Sequence, residues 1–223
     1  MNNSLFPNLQ AIFFDLDGTL VDTDDQIVAQ WERWLRPFFG QRAPKTARWL
    51  LMRSERPGTL LVRLLDWLHL DVPLMGFTDW LRRRRGVYAA HEWQLISGVE
   101  EMIGALDGRY SLALITIRGR YHIDAFFEKF PELAQAFTVS CGLQDTRHMK
   151  PNPAPLLLAA EQIGVPVQNC LMVGDTTVDV LAGRNAGAWA AGVLCGFGER
   201  EELENAGAHL ILQSTRELLQ FLT

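Results

Sequence analysis

The sequence lacks most of the features that mark a secreted, membrane-spanning or polyanion-binding protein. It has only three cysteines in 223 residues, Cys141, Cys170 and Cys195. They are far apart, odd in number and without CxxC or Cys/His ligand spacing, which argues against a disulfide framework and against a thiolate metal centre. Three free, mostly buried thiols are expected. The first ten residues, MNNSLFPNLQ, have neither the basic start nor the apolar run of a secretory signal, and no apolar stretch reaches the ~18 residues of a membrane span. A soluble, cytoplasmic protein with no membrane partner is the expectation. Positive charge is also short: 21 basic against 26 acidic residues leave a net charge of −5. That balance offers no general attraction to nucleic acid, so any anionic ligand must be held by local groups. There is no internal repeat and no low-complexity segment.

What is present is an ordinary globular composition, 48% hydrophobic and 21% charged. The length allows one large α/β domain, or a core carrying a smaller inserted module. From about Ser97 onward, short apolar runs alternate with helical patterns, the signature of βαβ units and a parallel sheet. Ser97 and Glu100 have capping-box spacing and open a helix that stops near Gly108; residues 112–115 read as a strand. A helix over 121–130 is ended or bent by Pro131, and 137–139 form the next strand. Asn152 caps a helix with Pro153 at its first position and Gly164 just past its end. Strand 170–173, helix 177–186 closed by Gly187, and strand 188–194 follow. Helix 199–205, strand 209–212 and helix 214–222, the last opened by a Ser214/Glu217 capping box, complete the series.

Residues 11–14 supply one more strand, which belongs with the later sheet. Between it and Ser97 the sequence reads as helix and carries Trp31, Trp34, Trp49, Trp67, Trp80 and Trp93, six of the seven tryptophans. The division expected is a Rossmann-like parallel-sheet core over 1–20 and 96–223, with an inserted α-helical module over 21–95. The run Arg82-Arg83-Arg84-Arg85 points around its helix and reads as a solvated face, and the tryptophans as the module's core.

Four polar clusters fall at the C-terminal ends of these strands or in the loops that follow: Asp15-Leu16-Asp17-Gly18-Thr19, Thr116, Lys150, and Gly174-Asp175-Thr176-Thr177-Val178-Asp179. In an open parallel sheet such ends share one edge, so the clusters are expected to meet. Taken singly each has a bland reading: an Asp-x-Asp loop is usually a turn, and a lone Thr or Lys is usually surface. Together they place several carboxylates side by side, where two charges ~4 Å apart repel by roughly 4 kcal/mol. A divalent cation removes that objection, and an all-oxygen set favours magnesium with room for water and phosphate.

DLDGTL at 15–20, preceded by IFF, resembles the first motif of the haloacid dehalogenase superfamily. Thr116 is similar to the second-motif hydroxyl, KPNPAPLLLAA from Lys150 to the third motif, and GDTTVDVLAGRNAG from Gly174 to the fourth. The insert resembles the α-helical cap of subfamily I, and the third-motif stretch, GFG at 196–198 and ENAGAHLILQSTREL look most like phosphoglycolate phosphatases. The resemblance implies that Asp15 attacks phosphorus and also binds magnesium. Asp17 then protonates the leaving alcohol, activates the water and lends its carbonyl to the metal. Thr116 and Lys150 grip the phosphoryl oxygens, with backbone N–H groups near Gly18 and Thr19 forming an anion nest. Asp175 holds the metal, and Asp179 acts through water or orients Lys150. Two positions depart from the family pattern: Ile117 stands where Asn is common, and Met149 where a small residue commonly precedes the Lys.

The expected activity is magnesium-dependent hydrolysis of a small phosphorylated metabolite through an aspartyl phosphate, in a monomer or homodimer. A phosphosugar mutase resembling β-phosphoglucomutase shares all four motifs, and a non-catalytic binding protein would keep the fold. A dehalogenase is disfavoured by Asp17, since carbon–halogen displacement protonates no alcohol.

Overall fold

The computed structural model describes residues 5–22, 39–40 and 93–222. In chain order these form β1 (Ala11–Phe14), β2 (Val21–Asp22), β3 (Gln94–Leu95), α1 (Val99–Leu106), β4 (Ser111–Ile115), α2 (Arg120–Lys129), α3 (Pro131–Ala136) and β5 (Phe137–Cys141). Then come α4 (Ala154–Ile163), β6 (Cys170–Gly174), α5 (Thr177–Ala186), β7 (Trp189–Val193), α6 (Arg200–Asn205) and β8 (Leu210–Leu212). Short 3-10 turns cover Val167–Asn169 and Thr215–Phe221. Among these residues no helix is long and apolar enough to cross a membrane.

Six strands make one parallel sheet in the order β5-β4-β1-β6-β7-β8. The central strands are apolar without interruption because both of their faces are covered. In β1, Ile12 and Phe14 enter one core while Ala11 and Phe13 enter the other. Leu112 and Leu114 of β4, and Leu171 and Val173 of β6, join the first; their alternate residues join the second. Helices α1, α2 and α3 and the C-terminal turn cover the first face; α4 and α5 cover the second. The α/β architecture is therefore as expected.

The chain runs from β1 out to β4 and β5, then returns past β1 to β6, so the order reverses at β1. Loops at the C-terminal ends diverge there and leave a crevice. At the expected junction of core and insert, β2 pairs antiparallel with β3, Val21 with Leu95 and Asp22 with Gln94. Trp93, which the sequence counts with the insert, is buried and packs against the Phe126 ring at 5.8 Å. The other five insert tryptophans and Arg82 to Arg85 lie outside the described residues.

Several helix ends differ from expectation. Helix α1 starts after Gly98, which sits at φ 82° with the Arg216 side chain packed close, and Ser97 makes no cap. The C-terminal segment winds as a 3-10 turn, and Glu217 accepts from the Gln213 N–H (2.8 Å), one residue short of a full box. Pro131 opens α3 as well as ending α2. Asn152 does satisfy the start of α4, its side chain accepting from the Ala154 N–H at 3.0 Å.

Candidate active site

Asp15 follows the last residue of β1, and its N–H donates to the Val173 carbonyl at 2.9 Å, which carries the β1–β6 register one step further. Leu16 is fully buried and anchors the turn between Asp15 and Asp17. Gly18, at φ +69°, lies so close to Asp175 that a Cβ there would be 2.3 Å from its Oδ2. Only glycine meets both demands. Gly196 does the same from the other side, where a Cβ would come within 2.1 Å of that oxygen, and the Phe197 N–H donates to it at 2.9 Å. Asp175 thus sits in a cradle of backbone.

Lys150 ties the site together. Its Nζ donates to Asp15 Oδ1 at 2.6 Å, to Asp179 Oδ1 at 2.6 Å and to the Ile115 carbonyl at 2.7 Å. The lysine side chain is only 3% exposed. Its loop is fixed from α5, where the Asn185 amide donates to the Pro151 carbonyl at 2.9 Å. Asp179 serves two purposes, because its Oδ2 accepts from the Thr176 N–H (3.1 Å) and hydroxyl (2.7 Å) and so caps α5.

Asp15, Asp175 and Asp179 each offer a carboxylate oxygen within 4.8 Å of the others, and all three are buried. Three carboxylates and one ammonium leave two formal negative charges out of water. Burial pushes the Asp15 pKa up to about 7 against the pull of Lys150, with Asp179 and Asp17 adding to the rise. Burial alone would lower Lys150, but the two carboxylates beside it raise it. An oxygen-only, glycine-walled group with surplus negative charge fits a hard divalent cation such as magnesium.

The remaining expected residues divide. Thr116 is buried at the end of β4, beside the Ile115 carbonyl that Lys150 holds, and its hydroxyl accepts from the Arg118 N–H at 3.1 Å. Thr19 is fully buried, its carbonyl accepting from the Thr215 hydroxyl at 2.6 Å. The Gly18 N–H, expected in the anion nest, donates to the Val21 carbonyl at 2.9 Å, because the turn closes on itself. Gly18 therefore contributes conformation and close approach. The Asp17 carboxylate stands apart from the group of three, paired through both oxygens to Arg118: Nε to Oδ2 at 2.8 Å and Nη2 to Oδ1 at 2.6 Å. Arg118 escaped the sequence reading. Its one available signal was its position two residues beyond Thr116, matching that of Asp17 beyond Asp15.

Cys141 and Cys170 are buried and free, their thiols pushed up by burial to about 11 and about 12, while Cys195 is half-buried and free. All three thiols stay protonated near neutrality, as expected of structural cysteines.

The family model for haloacid dehalogenase-like hydrolase matches residues 12–193. A phosphoglycolate phosphatase from Escherichia coli is 28% identical, the match covering 97% of this chain and 93% of that protein. Among solved structures, a hydrolase from Pseudomonas syringae superposes with a TM-score of 0.67 at 28% identity, covering 96% of this chain and 97% of that one. A putative haloacid dehalogenase-like hydrolase from Bacteroides fragilis superposes with a TM-score of 0.71 at 22% identity, covering 94% and 99%.

Proposed function

The chain belongs to the haloacid dehalogenase-like hydrolase family and is a phosphoric monoester hydrolase; from that premise we propose that it hydrolyses a small, phosphoglycolate-like metabolite with magnesium bound and Asp15 as nucleophile. The observation that carries this reading is the grip of Lys150 on Asp15, Asp179 and the Ile115 carbonyl, with Asp175 in the same buried group. Such an arrangement offers an aimed carboxylate, a fixed cation beside it and a set of metal ligands. Phosphate monoesters hydrolyse so slowly unaided that catalysis can reach ~10²¹-fold, and positioning plus charge neutralisation must supply most of it.

An Asp15 oxygen attacks phosphorus as the bond to the leaving oxygen breaks, and Asp17 gives that oxygen its proton. Water then attacks the phosphoryl-aspartate, Asp17 takes a proton from it, and the Asp15 oxygen–phosphorus bond breaks to release phosphate. Lys150 and Thr116 hold the phosphoryl oxygens through both steps, and the turn at Gly18 and Thr19 closes the pocket beside them. Magnesium, when bound, would neutralise charge at the phosphoryl group; Asp15 and Asp175 would hold it together with the Asp17 carbonyl, and Asp179 would orient Lys150 or act through water.

Residues 21–95 act as the cap over this site. The pairing of β2 with β3 supports that reading, since it brings the two ends of the insert to one place at the crevice.

Asp15→Asn retains size and polarity but is a poor nucleophile. The expected result is loss of at least ~10³-fold in magnesium-dependent phosphate release. Full turnover by this variant would end the reading. Recovery of an isomerised sugar phosphate, without free phosphate, would assign a mutase.

A further inference from the structure

The turn that carries Asp15 and Asp17 is braced from the far end of the chain. We propose that Thr215 is a positioning residue for proton transfer by Asp17, acting through the backbone of that turn with Cys195 beside it; this rests on the phosphatase reading of the same site. The Thr215 hydroxyl donates to the Thr19 carbonyl at 2.6 Å, across 196 positions of sequence, and the residue is fully buried. The peptide between Thr19 and Leu20 is trans and planar, so holding that carbonyl also sets the direction of the Leu20 N–H. The Leu20 N–H donates to the Leu16 carbonyl at 3.0 Å, as does the Val21 N–H. The Leu16 carbonyl in turn shares its peptide plane with the N–H of Asp17. One hydroxyl thus reaches the backbone of Asp17 through two peptide planes.

The preceding peptide is held in the same way. The Cys195 thiol donates to the Gly18 carbonyl at 3.5 Å and also lies 3.5 Å from the Thr215 hydroxyl oxygen, which accepts there because its one proton goes to Thr19. The Thr19 side chain gives the turn no anchor of its own, since its hydroxyl is buried without a hydrogen-bond partner among the described residues. Thr215 is firmly mounted: Leu218 and Leu222 of the same segment lie in the first core, and the Leu222 carbonyl accepts from Arg109 Nη2 at 2.8 Å and the Tyr110 hydroxyl at 3.3 Å. Cys195 leads into Gly196 and Phe197, which enclose Asp175, so one segment meets both the turn and that aspartate. A buried carbonyl left without a donor is costly, so loss of the Thr215 hydroxyl favours rotation of the planes it held. Asp15 is secured separately, by its N–H bond to Val173 and by Lys150, whereas Asp17 sits on a plane that moves. A shift of about 1 Å at a reacting group costs on the order of 100-fold in rate.

The test compares ethyl phosphate, whose alkoxide needs a proton, with p-nitrophenyl phosphate, whose phenolate leaves without one, in the full chain with magnesium. Thr215→Val keeps the shape and removes the donor. It is expected to lower kcat/KM for ethyl phosphate at least ~10-fold more than for p-nitrophenyl phosphate. Thr215→Ser retains the hydroxyl and is expected to stay within ~3-fold of wild type on both esters. A merely structural role lowers both esters together, through the fraction of protein unfolded. Equal losses, no loss, or a Thr215→Ser variant as impaired as Thr215→Val would overturn the proposal. Amide hydrogen exchange gives a readout without turnover: in Thr215→Val the Leu20 and Val21 N–H groups are expected to exchange at least ~10-fold faster relative to the amides of β6. Unchanged relative exchange would overturn the proposal. Faster exchange in a protein whose wild type releases no phosphate would uphold the brace and sink the phosphatase reading alone. If Thr215→Val does not fold, Cys195→Ala reads the brace from its other end, where a loss ~3-fold larger on ethyl phosphate supports the proposal and equal effects overturn it.

Discussion

Burial pulls Asp15 and Lys150 in opposite directions, and their 2.6 Å contact reconciles the two. The lysine stays cationic because Asp15 and Asp179 outweigh its desolvation, while Asp15 rises to about 7 because burial outweighs the lysine. The folded state therefore holds the Asp15 proton more tightly than an unfolded chain, whose ordinary value is 3.8. The stability from this group is fully present below that value and is lost as pH climbs through about 7. Magnesium held as proposed would compete with the same proton, so its thermal stabilisation of the protein is expected to be larger at pH 8 than at pH 5. Equal shifts in Tm at the two pH values, read by a thermal melt with and without the ion, would contradict this. Asp17 shows where residue-level reading stops, since its partner Arg118 lies 101 positions away and no local pattern announces the pair.

At the scale of elements, the central strands were legible because burial on both faces makes them short apolar runs, and β1 matches its expected bounds of 11–14. Helices α4 and α5 end where Gly164 and Gly187 take left-handed conformations, as their positions suggested. Capping was less legible. The two Ser-x-x-Glu boxes failed to close as read, one beside the packed Arg216 side chain and the other in a tightened turn, while Thr176 and Asp179 formed the reciprocal contact. Asp179 thus links the start of α5 to Lys150, and the helix end aims the cation. Thr176→Ala is expected to cost about 1 kcal/mol in a denaturant melt and to lower turnover further, because Asp179 loses a contact that sets its orientation. Stability loss with unchanged turnover would show that Lys150 and the backbone N–H of residue 176 suffice to fix Asp179.

For the whole molecule, the antiparallel contact of Val21 with Leu95 brings the ends of the segment between them together. On the proposed reading the sheet edge carries the chemistry and that segment the substrate choice. Replacing residues 24–91 by a short flexible linker is expected to leave a folded core that hydrolyses p-nitrophenyl phosphate but loses on the order of 100-fold in kcat/KM for 2-phosphoglycolate. A folded core inactive on both esters would place essential chemistry in the insert. The sequence by itself determined the apolar strands, the helices between them and the placing of polar clusters after the strands, because these follow from periodicity and local backbone chemistry. Only the tertiary structure decided that Lys150 joins Asp15 to Asp179, that Gly18 and Gly196 wall in Asp175, and that Asp17 answers to Arg118. These are contacts between distant segments, set by the reversal of strand order at β1 and by side-chain reach across the sheet edge, which no local pattern encodes.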